Sequence, residues 1–377
     1  MAEHARVRCR AMEHKFHGPS YTIGIEEELM IVDAQSHALV NAIESLLGDA
    51  PEGEIKPELH ESVLEISTNP ASNTREAGAR LRALRDQARE RAGRRGLTIG
   101  SAGTHPFAKW EDQRIVSRPR YRELVTALRF VARQELIFGM HVHVGVDDPD
   151  KAIHVSNGMR VHLAVLLALS ANSPFWRGDT TGLLSTRIPI FRAFPRVGVP
   201  PHYDDWDDYV REVEFMTQSG VMEDYTWLWH DVRPHPNFGT VEIRICDSQT
   251  RVEHTLALTA LIQAMVKELC EHYEAGGLLA DYPWLMLDEN KWLAARHGLD
   301  GELVDLPSNE RVATKALARR LLDRLREHAQ DMGSADDLEG IVDLLERGSG
   351  GQRQMVVYEA NHDLDEVMAE IVAATAA

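Results

Sequence analysis

"YTIGIEEELMIVD", residues 21–33, sets three glutamates in a row inside an otherwise apolar run. Ionised carboxylates repel one another, and burying one without a partner is costly. Read as a strand, the segment sorts its side chains onto two faces. Ile23, Ile25, Glu27, Leu29 and Ile31 share one face; Thr22, Gly24, Glu26, Glu28 and Met30 share the other. Glu26 and Glu28 then point the same way, a few ångströms apart, and need positive charge between them.

Two further segments repeat this pattern. At 140–146, Val142, Val144 and Val146 alternate with His141, His143 and Gly145. At 240–246, Val241, Ile243 and Ile245 alternate with Thr240, Glu242, Arg244 and Cys246. Each strand has one apolar face and one face of Glu, His or Arg, with no lysine. The wet side of an antiparallel sheet ordinarily mixes Thr, Ser, Lys and Glu. Lone pairs concentrated as they are here favour bound cations. "EIKPELHESVLEISTNP" (54–70) reads as a strand ended by Asn-Pro. On a regular strand its Glu58 and Glu65 fall on opposite faces, while Glu61 and Glu65 share one. Either a bulge intervenes or Glu58 lies on the loop before the strand.

The rest of the chain bounds the reading. With 377 residues, 44% apolar and 27% charged, it has the composition of an ordinary globular protein and can bury a large core. Strands dominate early and helices from Val252 onward, so the class is α+β. Residues 1–19 read as a loose tail without the apolar core of a signal peptide, and 20–377 as one catalytic domain. The longest apolar run, near 161–171, is too short to span a bilayer and reads as part of an amphipathic helix. Residues 74–95 form another, whose arginines (Arg75, Arg80, Arg82, Arg85, Arg89) read as a solvated stripe. Cys9, Cys246 and Cys270 make neither a disulfide framework nor a zinc motif, which fits a reducing, cytoplasmic compartment.

Net charge is −18. That opposes nucleic acid or an anionic membrane as the main partner. It also means that an anionic substrate must be met by metal ions or clustered arginines. Carboxylates with one or two histidines suit Mg²⁺ or Mn²⁺, and Mg²⁺ held this way usually also binds substrate phosphates. That points to a nucleotide, yet no GxxxxGK[ST] and no GxGxxG after a strand is present. Phosphates would rest on metals and arginines. Arg244 is two residues from Glu242 on the same face. "NSPFWRGDTTGLLSTRIPIFRAFPR" (172–196) adds Arg177, Arg187, Arg192 and Arg196 in an irregular segment.

Together "GIEEE" (24–28), "PELHESVLEIST" (57–68), "GMHVHVG" (139–145), "NSPFWRGDTTG" (172–182), "GTVEIRICD" (239–247) and "ENKWLAARHGLDG" (289–301) resemble the glutamate–cysteine ligase superfamily, in its type 2 carboxylate–amine ligase branch. The resemblance implies a catalytic domain similar to that of glutamine synthetase: a curved, mostly antiparallel sheet with metals on its polar concave face and helices on its apolar side. It implies that Glu26, Glu28, Glu58, Glu65, His141 and Glu242 bind metal. Arg244 would contact a substrate carboxylate or phosphate, with Arg187 and His143 as further candidates. The implied activity is ATP-dependent joining of a carboxylate, glutamate's γ-carboxyl by default, to an amine such as cysteine. It would run through an acyl phosphate and release ADP and phosphate. Small molecules are the expected partners, and a homodimer the expected assembly. Two other readings stand beside it: a metal-dependent amidohydrolase using the HxH pair His141–His143, and a nucleotide-binding relative without turnover.

Overall fold

A computed structural model describes residues 12–48 and 53–377. Cys9 and most of the expected tail lie outside these residues. The main sheet has seven strands: β1 (Ile23–Asp33), β2 (Ile55–Pro57), β3 (Val63–Ser67), β4 (Leu97–Gly100), β5 (Met140–Gly145), β6 (Val232–His235) and β7 (Thr240–Ile243). Their order is β6-β7-β5-β1-β3-β2, with β4 beside the second half of β1. Every pairing in this sheet is antiparallel. The fold is α+β, as the segment order implied.

The apolar face carries the core. Ile23, Ile25, Leu29 and Ile31 of β1 are buried with Val142 and Val144 of β5 and Val241 and Ile243 of β7. Two helices close over them. In α1 (Thr74–Gly93), Asn73 caps the N-terminus by accepting from Glu76 N at 3.0 Å, and Ala77, Leu81, Leu84 and Ala88 face inward. α4 (Val252–Glu274) is buried along most of its length and packs on β1 and β5.

Glu27 lies on this apolar face and is fully buried. Arg85 of α1 forks onto its two carboxylate oxygens at 2.8 Å each, and Thr255 of α4 donates at 2.6 Å. Arg85 therefore does not belong to a solvated stripe. It is 4% exposed, and its remaining donors bind the carbonyls of Gln249 and Thr250. Its place two-thirds along α1, facing the sheet, makes it the internal counterion of β1.

Three other expectations are corrected. Residues 54–70 are a hairpin rather than one strand: β2 and β3 pair antiparallel, with the connection at 58–62. Residues 12–19 are packed rather than loose. Phe16 is buried against the edge of Trp206, and Lys15 N donates to Pro236 O at 2.8 Å. The helical stretch Pro149–Ser170 consists of α2 (Pro149–Met159), a 3₁₀ turn, and α3 (Leu163–Ser170). By length and composition it could cross a membrane, but most of it is buried inside the protein. All eight residues of α3 are buried, so it is apolar all round rather than amphipathic.

Candidate active site

The strand register assembles the polar face. Glu26 lies opposite His141, Glu28 opposite Glu65, and His143 opposite Glu242. The His141 Nδ1 sits 3.4 Å from Glu26 Oε2. His143 Nε2 sits 3.8 Å from both Glu26 Oε2 and Glu242 Oε1. Glu26, His143 and Glu242 each offer one ligand atom, all within 4.8 Å of one another. His143 Nδ1 lies 3.0 Å from Thr240 Oγ1, and Nε2 is buried without a hydrogen-bond partner. With the proton on Nδ1, that orphaned lone pair faces the two carboxylates.

The electrostatics separate two ends of the site. At one end, burial pushes the Glu26 carboxyl up, but the hydrogen bond to His141 and the nearby His143 ring outweigh it and hold Glu26 well below the carboxylate range. Burial likewise opposes ionisation of Glu242, and Arg233 and Arg244 reverse it. Burial and Arg244 keep His141 below its ordinary value, so its imidazole is neutral. At the other end carboxylates crowd without enough cations. Burial, then Glu28, push Glu58 to about 7. Burial, then Glu26, push Glu65 far up. Glu58 follows directly after β2, so the loop placement is the one observed, and Tyr121 Oη reaches it at 3.4 Å. Glu28 accepts from Gly139 N at 2.5 Å. Glu61 leaves the group and pairs with Arg114 at 2.6 Å.

Four residues were missed by the sequence reading. Lys56 of β2 lies opposite Glu65, with Nζ 2.7 Å from Glu65 and 3.8 Å from Glu26. The polar face therefore does contain a lysine, and it supplies positive charge beside Glu26. Arg233 of β6 lies opposite Glu242 and grips Oε2 with Nε at 2.9 Å and Nη2 at 2.6 Å. Its Nη1 binds the carbonyls of Thr226 and Leu228. Both residues sit across a hairpin from a recognised glutamate, on strands too short to show alternation. Glu135 is the third: burial, then Glu28 and Glu58, push its carboxyl well up. It lies just before β5, outside any alternating pattern. Asp231 is the fourth. It makes a buried ion pair with Lys291 at 2.6 Å, and its carbonyl accepts from Arg244 N.

The two named arginines differ. Arg244 Nη1 donates to Glu242 Oε1, and its Nε is buried without a partner. The buried Arg187 spends both terminal nitrogens on the carbonyls of Ile245 and Arg244 at 3.2 Å, and lies 3.9 Å from Asp247. It fixes the backbone that carries Arg244.

The model of glutamate–cysteine ligase family 2 matches residues 22–372. A Rubrobacter xylanophilus protein with the provisional name glutamate–cysteine ligase 2-1 is 42% identical over 367 residues, covering 97% of each chain. A Sorangium cellulosum protein provisionally named glutamate–cysteine ligase 2 is 40% identical over 357 residues, 93% of this chain and 95% of that one. Among solved structures, a Francisella tularensis glutamate–cysteine ligase in complex with AMP aligns with TM-score 0.73 and 15% identity, over 96% of this chain and 89% of that one. A bifunctional glutathione synthetase from Pasteurella multocida aligns with TM-score 0.65 and 14% identity, over 94% of this chain and 53% of that one. At such identities the structures share the fold. The sequence matches carry the assignment: this chain belongs to glutamate–cysteine ligase family 2, and is an ATP-dependent ligase of C–N bonds.

Proposed function

We propose that the acidic face of the sheet holds divalent cations and a nucleotide triphosphate, and joins the γ-carboxyl of glutamate to an amine of the cysteine type. The observation that carries this is the buried, unpartnered His143 Nε2, 3.8 Å from each of two ionised carboxylates. Such a donor set, with neutral His141 beside it and crowded Glu28, Glu58 and Glu65 beyond, suits Mg²⁺ or Mn²⁺. When held by these carboxylates and His143, such ions would offset the charge of the triphosphate.

The residues of the chain do the rest. A carboxylate resists amine attack because it is already anionic. Transfer of the γ-phosphoryl group to it gives an acyl phosphate, whose phosphate the amine then displaces. Arg244, held between Glu242 and the backbone that Arg187 fixes, is placed to orient the anionic acceptor. Arg233 keeps Glu242 ionised from behind and in one orientation. We further place the enzyme in the cytoplasm, where both substrates and ATP are available.

The test is release of ADP and phosphate with ATP and Mg²⁺, using glutamate and other acids against a panel of amines. ADP formed only when an acid and an amine are both present supports the reading. Amide hydrolysis without ATP would favour the hydrolase. Tight ATP binding without turnover on any pair would favour a relative that binds nucleotide only.

A further inference from the structure

The chain carries four arginines in its irregular segment 172–196, and three are neutralised. Arg177 pairs with Glu111 at 2.8 Å, Arg192 with Asp288 at 2.8 Å, and Arg187 lies on backbone carbonyls near Asp247. Arg196 differs. No carboxylate lies within 4 Å of it among the described residues, although the protein's net charge is −18. Burial without a counterion pulls its guanidinium below the usual arginine value.

Its geometry is fixed from three sides. The backbone adopts φ 58°, a left-handed conformation uncommon for arginine. Nε donates to Trp227 O at 3.0 Å, and the guanidinium lies 5.4 Å above the Trp229 ring. The following residues, Val197–Gly198, run parallel to Trp229–His230. One face is thus stacked and one edge is tied, while the terminal nitrogens make no hydrogen bond within the described residues. Half-buried and pre-positioned, that edge has the fork geometry that matches a carboxylate.

Its neighbours connect it to Arg233 and so to Glu242. Arg233, which grips Glu242, binds the carbonyls of Thr226 and Leu228, on either side of the Trp227 carbonyl that Arg196 uses. Trp229 and Phe194 belong to the same apolar cluster as Leu59 and Tyr121, the neighbours of Glu58. The Arg196–Trp229 pair therefore adjoins the segment that anchors Arg233 behind Glu242.

We propose that Arg196 binds the carboxylate of an amino-acid substrate and so makes the enzyme select amino acids over simple amines or acids. This rests on the ligase reading given above. The carboxylate could belong to the acid substrate or to the amine substrate, and the two are separable. Arg196→Asn tolerates the left-handed backbone, and Arg196→Lys keeps the charge without the fork. Unchanged thermal midpoints for these variants would show that the site is intact.

The expected result is a rise in KM of about tenfold to a hundredfold for one substrate, with kcat nearly kept, as befits loss of a charge-assisted bond. If the amine's carboxylate is bound, KM rises for cysteine but not for cysteamine. If the acid's is bound, KM rises for glutamate but not for 4-aminobutyrate. Calorimetric binding of the same four compounds to the ATP-analogue complex gives a readout that needs no turnover. Weaker binding of a carboxylate-bearing compound alone supports the assignment even if the ligase reading fails. Equal effects on compounds with and without the carboxylate, a change confined to ATP, or no change in any KM or affinity would overturn it.

Discussion

Glu27 and Glu26 are adjacent, yet the pleat sends them to opposite solvents, one dry and one polar. Glu27 is stabilised by a single buried fork from Arg85. Removing one partner leaves an uncompensated buried charge, so Arg85→Ala should lower stability by about 3–5 kcal/mol. The double change Glu27→Leu with Arg85→Met should recover most of the loss in urea unfolding. A second residue, His105, sets an acid limit. Its Nε2 lies 2.8 Å from His37 O, and its Nδ1 accepts from Ala108 N at 3.1 Å. Both nitrogens are used by the neutral ring, and burial pulls its pKa to about 4. Buried His60 is likewise pulled to about 4. The unfolded chain takes up protons near the ordinary value of 6.5, so between about 6.5 and 4 it binds more protons than the native state. The stability these two histidines contribute is complete above pH 6.5 and falls as pH drops towards 4. Thermal midpoints from pH 8 to 5 should show this decline, and His105→Gln should make it shallower. A steeper or unchanged slope in the variant would contradict the account.

At the scale of elements, the period-2 pattern made the faces of β1, β5 and β7 legible, because a strand has only two. Glu26, Glu28, His141, His143 and Glu242 do share one face, and the register sets Glu26 against His141 and His143 against Glu242. Pairing across hairpins was not legible. Lys56 and Arg233 sit on short strands of 3 and 4 residues, too brief to show alternation, and Arg233 is followed by a proline. Arg85 was hidden for another reason: α1 carries so many arginines that one facing inward looks like the rest. Before β5, Gly139 is required by close approach. A Cβ there would lie 2.6 Å from Arg187 Nη2 and 3.1 Å from His141 Nε2. Gly139→Ala should therefore cut ADP formation more than tenfold by displacing both side chains, with a smaller effect on the thermal midpoint. Near-normal turnover would show that these side chains move aside freely.

Across the whole molecule, the class was readable from the order of segments, while the packing of its ends was not. Residues 12–19 carry turn and polar residues that resemble a tail, yet Phe16 fills a place against Trp206 beside the β6–β7 connection. Phe16→Ala should cost about 3 kcal/mol or more in unfolding free energy. An unchanged midpoint would mean that the segment contributes no core. The same molecule keeps its charge sharply sorted. It is acidic overall, and on the polar face of the sheet Arg233 and Arg244 hold the buried Glu242 ionised while Lys56 pairs with Glu65. Those cations are too few for Glu28, Glu58 and Glu65, and the shortage is what divalent ions would supply. Diffraction at the manganese edge from crystals grown with Mn²⁺ and a non-hydrolysable ATP analogue tests this most directly. The account predicts anomalous peaks bounded by Glu26, His143 and Glu242 and by Glu28, Glu58 and Glu65, with the phosphates between them and Arg244. Bound analogue with manganese absent from these carboxylates, or manganese bound elsewhere on the molecule, would contradict it.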